Sequence, residues 1–443
     1  MNGIFFAIVL ISFLVTGYRE LTWVYQGTAD LTPMQALGAA MVDSATSSVT
    51  LAIGLVGVMA LFLGLMKVAE AGGLLVIIAK TIRPLMVRLF PDVPANHPAM
   101  GAMVLNLSAN ALGLGNAATP FGIRAMQALD TLNPHKGTAT DSMALFLAIN
   151  TSSVTLLPTG VIALRAAAGS VEPAAILPTT LFATICSTTV AILAAKLYSR
   201  YWAMPTGAGD ARAEQTGGGD EVFADPDPSA DPTTDIAMDN GGDSYPSWVS
   251  TIFILAIAAL VPLTVFYGDA ISPWIIPGIM VGLLGFGVIR RVRVYEVFVE
   301  GARDGFRVAI RIIPYLVAIL VAVAMFRASG ALEMVITAIS PFTAAVGLPA
   351  EALPMALLRP LSGSGAYGIL ASIINDPNTG PDSYVGFLVS TFQGSTETTF
   401  YVIAVYFGAV NIRRIRHALA AGITADIAGI AAAVIICTIL FAP

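Results

Sequence analysis

The feature that most limits how this chain can fold is a set of apolar runs that break, at matching places in its two halves, into clusters of Pro, Gly, Ser, Thr and Asn. Residues 106–122 read NLSANALGLGNAATPFG and residues 359–368 read RPLSGSGAYG. Further along, NTSSVTLLPTGVIAL (150–164) and GSTETTFYVIAVYF (394–407) each pass from a polar cluster straight into an apolar segment. With 56% hydrophobic and 11% charged residues, against roughly 25% charged in a soluble domain, the chain has too much apolar surface for a water-soluble globule. It reads as an all-α polytopic membrane protein with discontinuous helices and re-entrant hairpins. The short alternating segments of a β-barrel are missing.

A composition shift divides the chain. Residues 204–246 carry ten Asp and Glu and one Arg, a net −9 within an overall −6, so the remainder is +3. Rich in Gly, Pro and Asp, this stretch is expected to be an acidic disordered linker between domains at 1–203 and 247–443. The opening run IFFAIVLISFLVTG (4–17) lacks a basic leader and a small-residue cleavage site, so it is expected to be a retained membrane helix.

The two domains look like copies. Shifting by 257 positions aligns 42–84 with 299–341 without a gap and with nine identities, among them Gly73/Gly330 and Pro84/Pro341. Each copy is expected to run through an amphipathic segment, a spanning helix, a helix that starts at Gly and ends near Pro84 or Pro341, a broken stretch, a polar tip and a last apolar helix. Two separate helices at 247–266 and 271–289, against one in the first half, change the crossing parity and set the copies antiparallel. Inverted repeats with broken helices are a hallmark of secondary transporters. The clusters KLYSRYW, RRVR and NIRRIRH all follow even-numbered crossings, which by the positive-inside rule places the N-terminus and linker in the cytoplasm, in a multi-pass protein of the cytoplasmic (inner) membrane.

Broken backbone at membrane depth survives where protein buries it or a wet cavity meets it. The candidate substrate-binding residues are therefore the polar ones at the breaks. The first half offers Asn106, Ser108, Asn110, Asn116, Asn150, Thr151, Ser152 and Ser153. The second offers Ser362, Ser364, Gln393, Ser395, Thr396, Glu397 and Thr398. Helix N-termini at such tips favour an anionic or polar solute. Glu397 is the sharpest signal, since an acidic side chain in a membrane helix is costly and usually functional. It could contact a solute, carry H⁺ or Na⁺ as a coupling ion, or simply be satisfied by its own helix terminus. The small polar residues could equally serve close helix packing. Arg124, Arg165 and Arg359 are candidates to neutralise Glu397 or to snorkel.

Several functions are disfavoured. GLGNAA and GSGAYG lack the Lys and the strand–helix context of a phosphate loop, and there is no Ser-His-Asp arrangement and no basic face for nucleic acid. Cys186 and Cys437 are far apart within apolar runs, and His97, His135 and His417 lack metal-ligand spacing, so the histidines are expected in loops or at helix ends. No enzyme activity, cofactor or metal is expected. The expected partners are the lipid bilayer and a small polar solute.

At this point the residues resemble a known group. NLSANALGLGNAATPFGIRAM resembles the spore maturation A family. PYLVAILVAVAMFRASGAL, LRPLSGSGAYGIL, STFQGSTETTFYVIAVYFGAV and RHALAAG resemble the spore maturation B family. Outside the linker, the likeness covers nearly the whole chain, as if the two were fused. Both belong to the nucleoside-recognition, or Gate, group, related to concentrative nucleoside transporters and to the membrane part of ferrous iron transporters. The resemblance implies two Gate domains facing each other in inverted orientation, moving a solute or water, with a homo-oligomer formed through membrane contacts. In the nucleoside transporters a GQTE motif at a hairpin tip binds the solute. Gly394, Ser395, Thr396 and Glu397 match it except at Ser395, and the first half has NTSSVT there with no carboxylate. Ferrous iron is disfavoured because the polar tips hold no Cys, His or Met. The competing expectation is a membrane scaffold or accessory protein of the cell envelope or spore that does not transport.

Overall fold

The computed structural model describes residues 2–23, 31–113, 115–202, 245–344, 347–376 and 379–441. The linker, apart from its last two residues, lies outside these. Sixteen α-helices are described, with no strand among the described residues and a single isolated bridge between Thr138 and Arg414. The first half contains α1 (Asn2–Leu21), α2 (Pro33–Ala71), α3 (Leu74–Leu89), α4 (Pro98–Ala111), α5 (Gly115–Thr131), α6 (Asp141–Thr151), α7 (Thr159–Ala167) and α8 (Leu177–Tyr198). The second contains α9 (Ser247–Ile289), α10 (Val294–Ala328), α11 (Ala331–Ala344), α12 (Leu353–Leu358), α13 (Gly363–Ile374), α14 (Tyr384–Ser395), α15 (Thr399–Gly408) and α16 (Ala418–Phe441).

The repeat is visible helix by helix. The long helices α2 and α10 each end at a glycine in the left-handed region, Gly73 (φ 83°) and Gly330 (φ 78°), a conformation that costs other residues a steric penalty. In the first half this turn bends the chain by 68° between Val56–Ala71 and Leu74–Leu89. Among the described residues, Pro173–Tyr198 and Ala418–Phe441 are each long and apolar enough to cross a membrane, and the bent pair makes a third such span if counted as one.

Three expectations need correction. Residues 247–289 form one helix of 43 residues, about 65 Å long at ~1.5 Å per residue, not two helices. The amphipathic segments at 39–49 and 299–309 are not separate either, because each continues without a break into its spanning helix within α2 or α10. Pro84 and Pro341 lie inside α3 and α11 rather than ending them. A proline removes one backbone hydrogen bond and bends a helix, which membrane helices tolerate when neighbours satisfy the freed group.

The crossing count that rested on two helices therefore no longer carries the inversion, but the packing shows it directly. A Cβ on Gly301 would lie 3.0 Å from the Gly64 Cα, and one on Gly305 would lie 2.6 Å from the Ala60 Cα. As the numbers fall along α2 they rise along α10, so the two helices run antiparallel. The last helices behave the same way. Tyr198 near the end of α8 meets Thr424 near the start of α16 (3.1 Å), while Ser187, earlier in α8, packs on Gly429, later in α16. Equivalent helices of opposite direction thus pair across a pseudo-two-fold axis.

The halves are also interleaved. One apolar core gathers α3 to α6 together with Val402, Tyr406 and Phe407 of α15, and the other gathers α12 to α14 together with Val161, Ile162 and Leu164 of α7. Each half therefore lends the helix after its polar tip to the core of the other. Two arginines fix this exchange. Buried Arg165, closing α7, donates to Asp382 Oδ1 (2.9 Å), the Pro381 carbonyl (2.6 Å) and Ser390 Oγ (3.3 Å), and lies 4.4 Å over the Phe387 ring. Arg416, following α15, pairs with Asp141 (2.6 Å) and donates to the Ala139 carbonyl (3.1 Å). Both arginines thus reach the N-terminal turn of the opposite half's hairpin, beside the capping residues Ser383 and Thr140.

Two outcomes test this arrangement. Gly305→Leu should lower stability by about 1–3 kcal/mol, the usual cost of overpacking, because no side chain fits against the α2 backbone. Arg165→Ala should cost about 2–3 kcal/mol, less than the ~3–5 kcal/mol of a fully buried pair, since the abandoned Asp382 side chain is 34% exposed. Denaturant unfolding in detergent micelles reads both.

Candidate functional site

The hairpin helices are short. At 11 and 12 residues, α6 and α14 reach about 16–18 Å, half of a hydrocarbon core of about 30 Å. Their tips therefore turn back partway, and the backbone there needs partners from elsewhere. Those partners come from the other breaks. In the first half the Leu156 N–H donates to the Ala111 carbonyl at the end of α4 (2.8 Å), and in the second the Phe400 N–H donates to the Pro360 carbonyl after α12 (3.2 Å). Across the halves, the Glu397 N–H donates to the Thr151 carbonyl (2.8 Å). The four broken places meet at one locus, and a backbone bond joins the two tips.

Side chains knit the same locus. Asn110 Nδ2 donates to Asn150 Oδ1 (2.9 Å), and the Tyr406 hydroxyl of the opposite half donates to the same oxygen (3.4 Å). Asn106 Nδ2 donates to Tyr406 Oη (3.2 Å) and to the Ala118 carbonyl (2.7 Å). Gly122 leaves room for the Tyr406 ring, with which a Cβ there would collide, and Phe146 stacks on that ring with centroids 6.0 Å apart. In the second half Arg359 donates to Thr398 Oγ1 (3.1 Å) and to the Thr396 carbonyl, and its guanidinium lies 3.7 Å from the Glu397 carboxylate.

The candidate residues fall into separate groups. Asn106, Asn110 and Asn150 form the amide network, while Thr151, Thr396, Glu397 and Thr398 form the tip contact. Gln393 is buried, with its amide oxygen unpartnered. Ser108, Thr151, Ser152 and Ser395 turn their hydroxyls back onto carbonyls of their own helices, and Ser362 caps α13 by accepting from the Gly365 N–H (3.0 Å). Ser153 is buried within the first tip, whereas Ser364 is exposed. Asn116 lies in the first turn of α5, and its side chain falls outside the described residues. Of the arginines considered for Glu397, Arg359 reaches it, whereas Arg165 is committed to Asp382. His97 and His417 stand immediately before α4 and α16, and His135 lies in a loop.

The tips are not uniformly satisfied. Buried atoms without a hydrogen-bond partner include Asn106 Oδ1, Gln393 Oε1, Thr180 Oγ1, Arg359 Nε and Asp426 Oδ1. Leaving such an atom buried and unpaired costs about 1–3 kcal/mol. Asp426, 2% exposed within α16, was not foreseen, because it stands alone in an apolar run away from any cluster. The spacing of Gly422 and Gly429 around it was the available signal. Tyr406 was likewise hidden in what reads as a plain apolar helix.

Known proteins confirm the two-copy reading. The model of the Gate family, described as nucleoside recognition, matches residues 52–168 and 309–413. Spore maturation protein B of Bacillus subtilis (strain 168) is 49% identical over 166 residues, covering 38% of this chain and 92% of that protein. Spore maturation protein A of the same organism is 46% identical over 160 residues, covering 36% of this chain and 82% of that protein. No solved structure matches. With the family model present once in each half, on helices that pair in opposite directions, this chain belongs to the nucleoside-recognition Gate family.

Proposed function

We propose that the protein is a secondary transporter or exchanger of a small polar solute, nucleoside-like or another metabolite, which binds where the two inverted tips meet. The carrying observation is the set of buried, unpartnered donors and acceptors around the Glu397–Thr151 backbone bond. A framework selected for stability alone gains nothing from leaving several polar atoms unpaired, whereas a solute with hydroxyls and ring nitrogens would satisfy them. Glu397, half exposed beside Arg359, serves as a contact for the solute, and Asn150 and Gln393 supply amides. The replacement of Gln by Ser at position 395, relative to the nucleoside-transporter motif, leaves room for solutes other than nucleosides. Transport is coupled to H⁺ or Na⁺ and involves no enzymatic step. The setting is the cytoplasmic membrane, with the N-terminus and linker inside. Arg416 donating to the Trp202 carbonyl brings two of the basic clusters to one end of the molecule, in keeping with that orientation. A homo-oligomer is part of the same proposal.

A second reading has an observation of its own. Thr151, Ser152, Gln393 and Thr396 at the tips are buried, and an open pocket of about 850 Å³ lies away from them, lined by residues such as Tyr18, Arg19, Ser329 and Glu333. Closed tips suit a non-transporting envelope or spore-maturation accessory.

Uptake into proteoliposomes and thermal shifts over a panel of polar metabolites, nucleosides included, separate the two. The transport reading expects at least one solute to raise Tm and to be taken up. Asn150→Ala should weaken its binding tenfold or more, since each tenfold is about 1.4 kcal/mol, within the range of a lost buried hydrogen bond. If no solute is bound or carried by a well-folded protein, the accessory reading stands instead.

A further inference from the structure

The last helix carries a carboxylate that the solute site does not use. Asp426 is buried, with Oδ2 accepting from Thr399 Oγ1 (2.6 Å) and Oδ1 without a partner. Its surroundings are built for close approach. Gly422 and Gly429 lie one turn before and one turn after it on the same face of α16. A Cβ on Gly422 would come within 2.8 Å of Thr399 Cγ2, and one on Gly429 within 2.8 Å of Thr396 Cγ2 and 3.3 Å of the Ser187 side chain. The two glycines therefore let the second tip lie directly on α16, with Asp426 between them.

The charge balance is incomplete. Arg359, the cation at the second tip, is already paired with Glu397 at 3.7 Å and bound to Thr396 and Thr398, and Asp426 has no ion-pair partner among the described residues. Two carboxylates would share one guanidinium, and an ionised Asp426 would leave one negative charge uncompensated in the interior. The group bonded to it is the Thr399 hydroxyl, and the flanking glycines lie against Thr151 of α6, Thr396 of the tip and Ser187 of α8. The Tyr198 phenol, beside the start of α16, is engaged with Thr424. Cys437, three turns further along α16, is turned to Thr391 of α14.

We propose that Asp426 is a proton-binding site, and that it, rather than Glu397, takes up the ion that couples movement of the tips. Protonation removes the uncompensated charge and needs one bare oxygen, which Asp426 has. Loss of the proton would restore a buried negative charge under the second tip, and the cost of keeping that charge away from water favours loosening the seat of the tip on α16. The proton's use in coupling rests on the transport reading, whereas its binding does not.

Infrared difference spectroscopy of the full chain in lipid nanodiscs, titrated from acid to alkaline pH, tests this. The expected result is a protonated-carboxyl band that shifts in deuterium oxide, is abolished by titration to alkaline pH and by Asp426→Asn, and survives in Glu397→Gln. Thr399→Val keeps Asp426 but removes its hydroxyl partner, and should move the band's frequency. A band that persists in Asp426→Asn, or is unmoved in Thr399→Val, overturns the assignment, as does the lack of any such band in the parent protein. Thermal melts in sodium against choline chloride add a control: stabilisation specific to sodium and lost in Asp426→Asn, without the band, would assign a metal cation instead and overturn the proton. A protein that shows the band but carries no solute keeps this site and loses only the transport reading.

Discussion

Everything about the centre of this molecule follows from the need to satisfy broken backbone away from water. Each half contains two interruptions, and in a hydrocarbon setting their free N–H and C=O groups would be prohibitive one by one. The structure answers by gathering the interruptions. The tip of each half bonds to the other break of that half, through Leu156 to Ala111 and Phe400 to Pro360, and the tips bond to each other through Glu397 to Thr151. One half alone would lack the cross-half bond. The interleaved cores say the same in apolar terms, since α7 and α15 each bury their side chains in the opposite half.

This interdependence explains the two arginine clamps. A helix lent to another domain needs its end fixed there, and a surface ion pair contributes little. Arg165 and Arg416 are instead largely buried and reach backbone carbonyls as well as carboxylates, which gives them direction as well as charge. Arg165 lies in the last turn of α7 and Arg416 in the segment between α15 and α16, so both tie the chain leaving a tip to the opposite half. The antiparallel α2–α10 contact works at longer range. With Gly64, Gly301 and Gly305 at the crossing, the backbones approach closely enough for packing to hold the halves where lipid provides no hydrophobic drive.

Much of this was legible in the sequence, because the signals were physical and repeated. Gly73 and Gly330 mark left-handed turns in both copies, and the polar clusters lead to breaks after α4, α6, α12 and α14, although Asn106, Ser108 and Asn110 lie inside α4 and Asn116 inside α5. Helix lengths were less legible. The run through 267–271 carries Tyr, Gly and Asp and reads as a loop, yet local composition is a weak guide when a long helix continues through it. The pairing of side chains across halves was not legible at all. Nothing near Asn150 in sequence announces Tyr406, and nothing near Arg165 announces Asp382. Those pairs exist because the chain folds back on itself in reverse order, a property of topology rather than of any window of residues.

The asymmetry between the halves bears most directly on mechanism. Arg359, Glu397 and Asp426 all belong to the second half, and the first tip presents amides and hydroxyls where the second presents charge. An inverted pair with equal tips would give a carrier with matching faces. Here one tip bears the electrostatic load, and its seat is the face of α16 between Gly422 and Gly429. Any event that changes the charge at this seat acts on the extended segment 396–398 and the start of α15. Through the Glu397 N–H it acts on the Thr151 carbonyl, and so on the opposite half. The backbone bond that satisfies the broken helices is thus also a direct path by which a charge change in one half can reach the other.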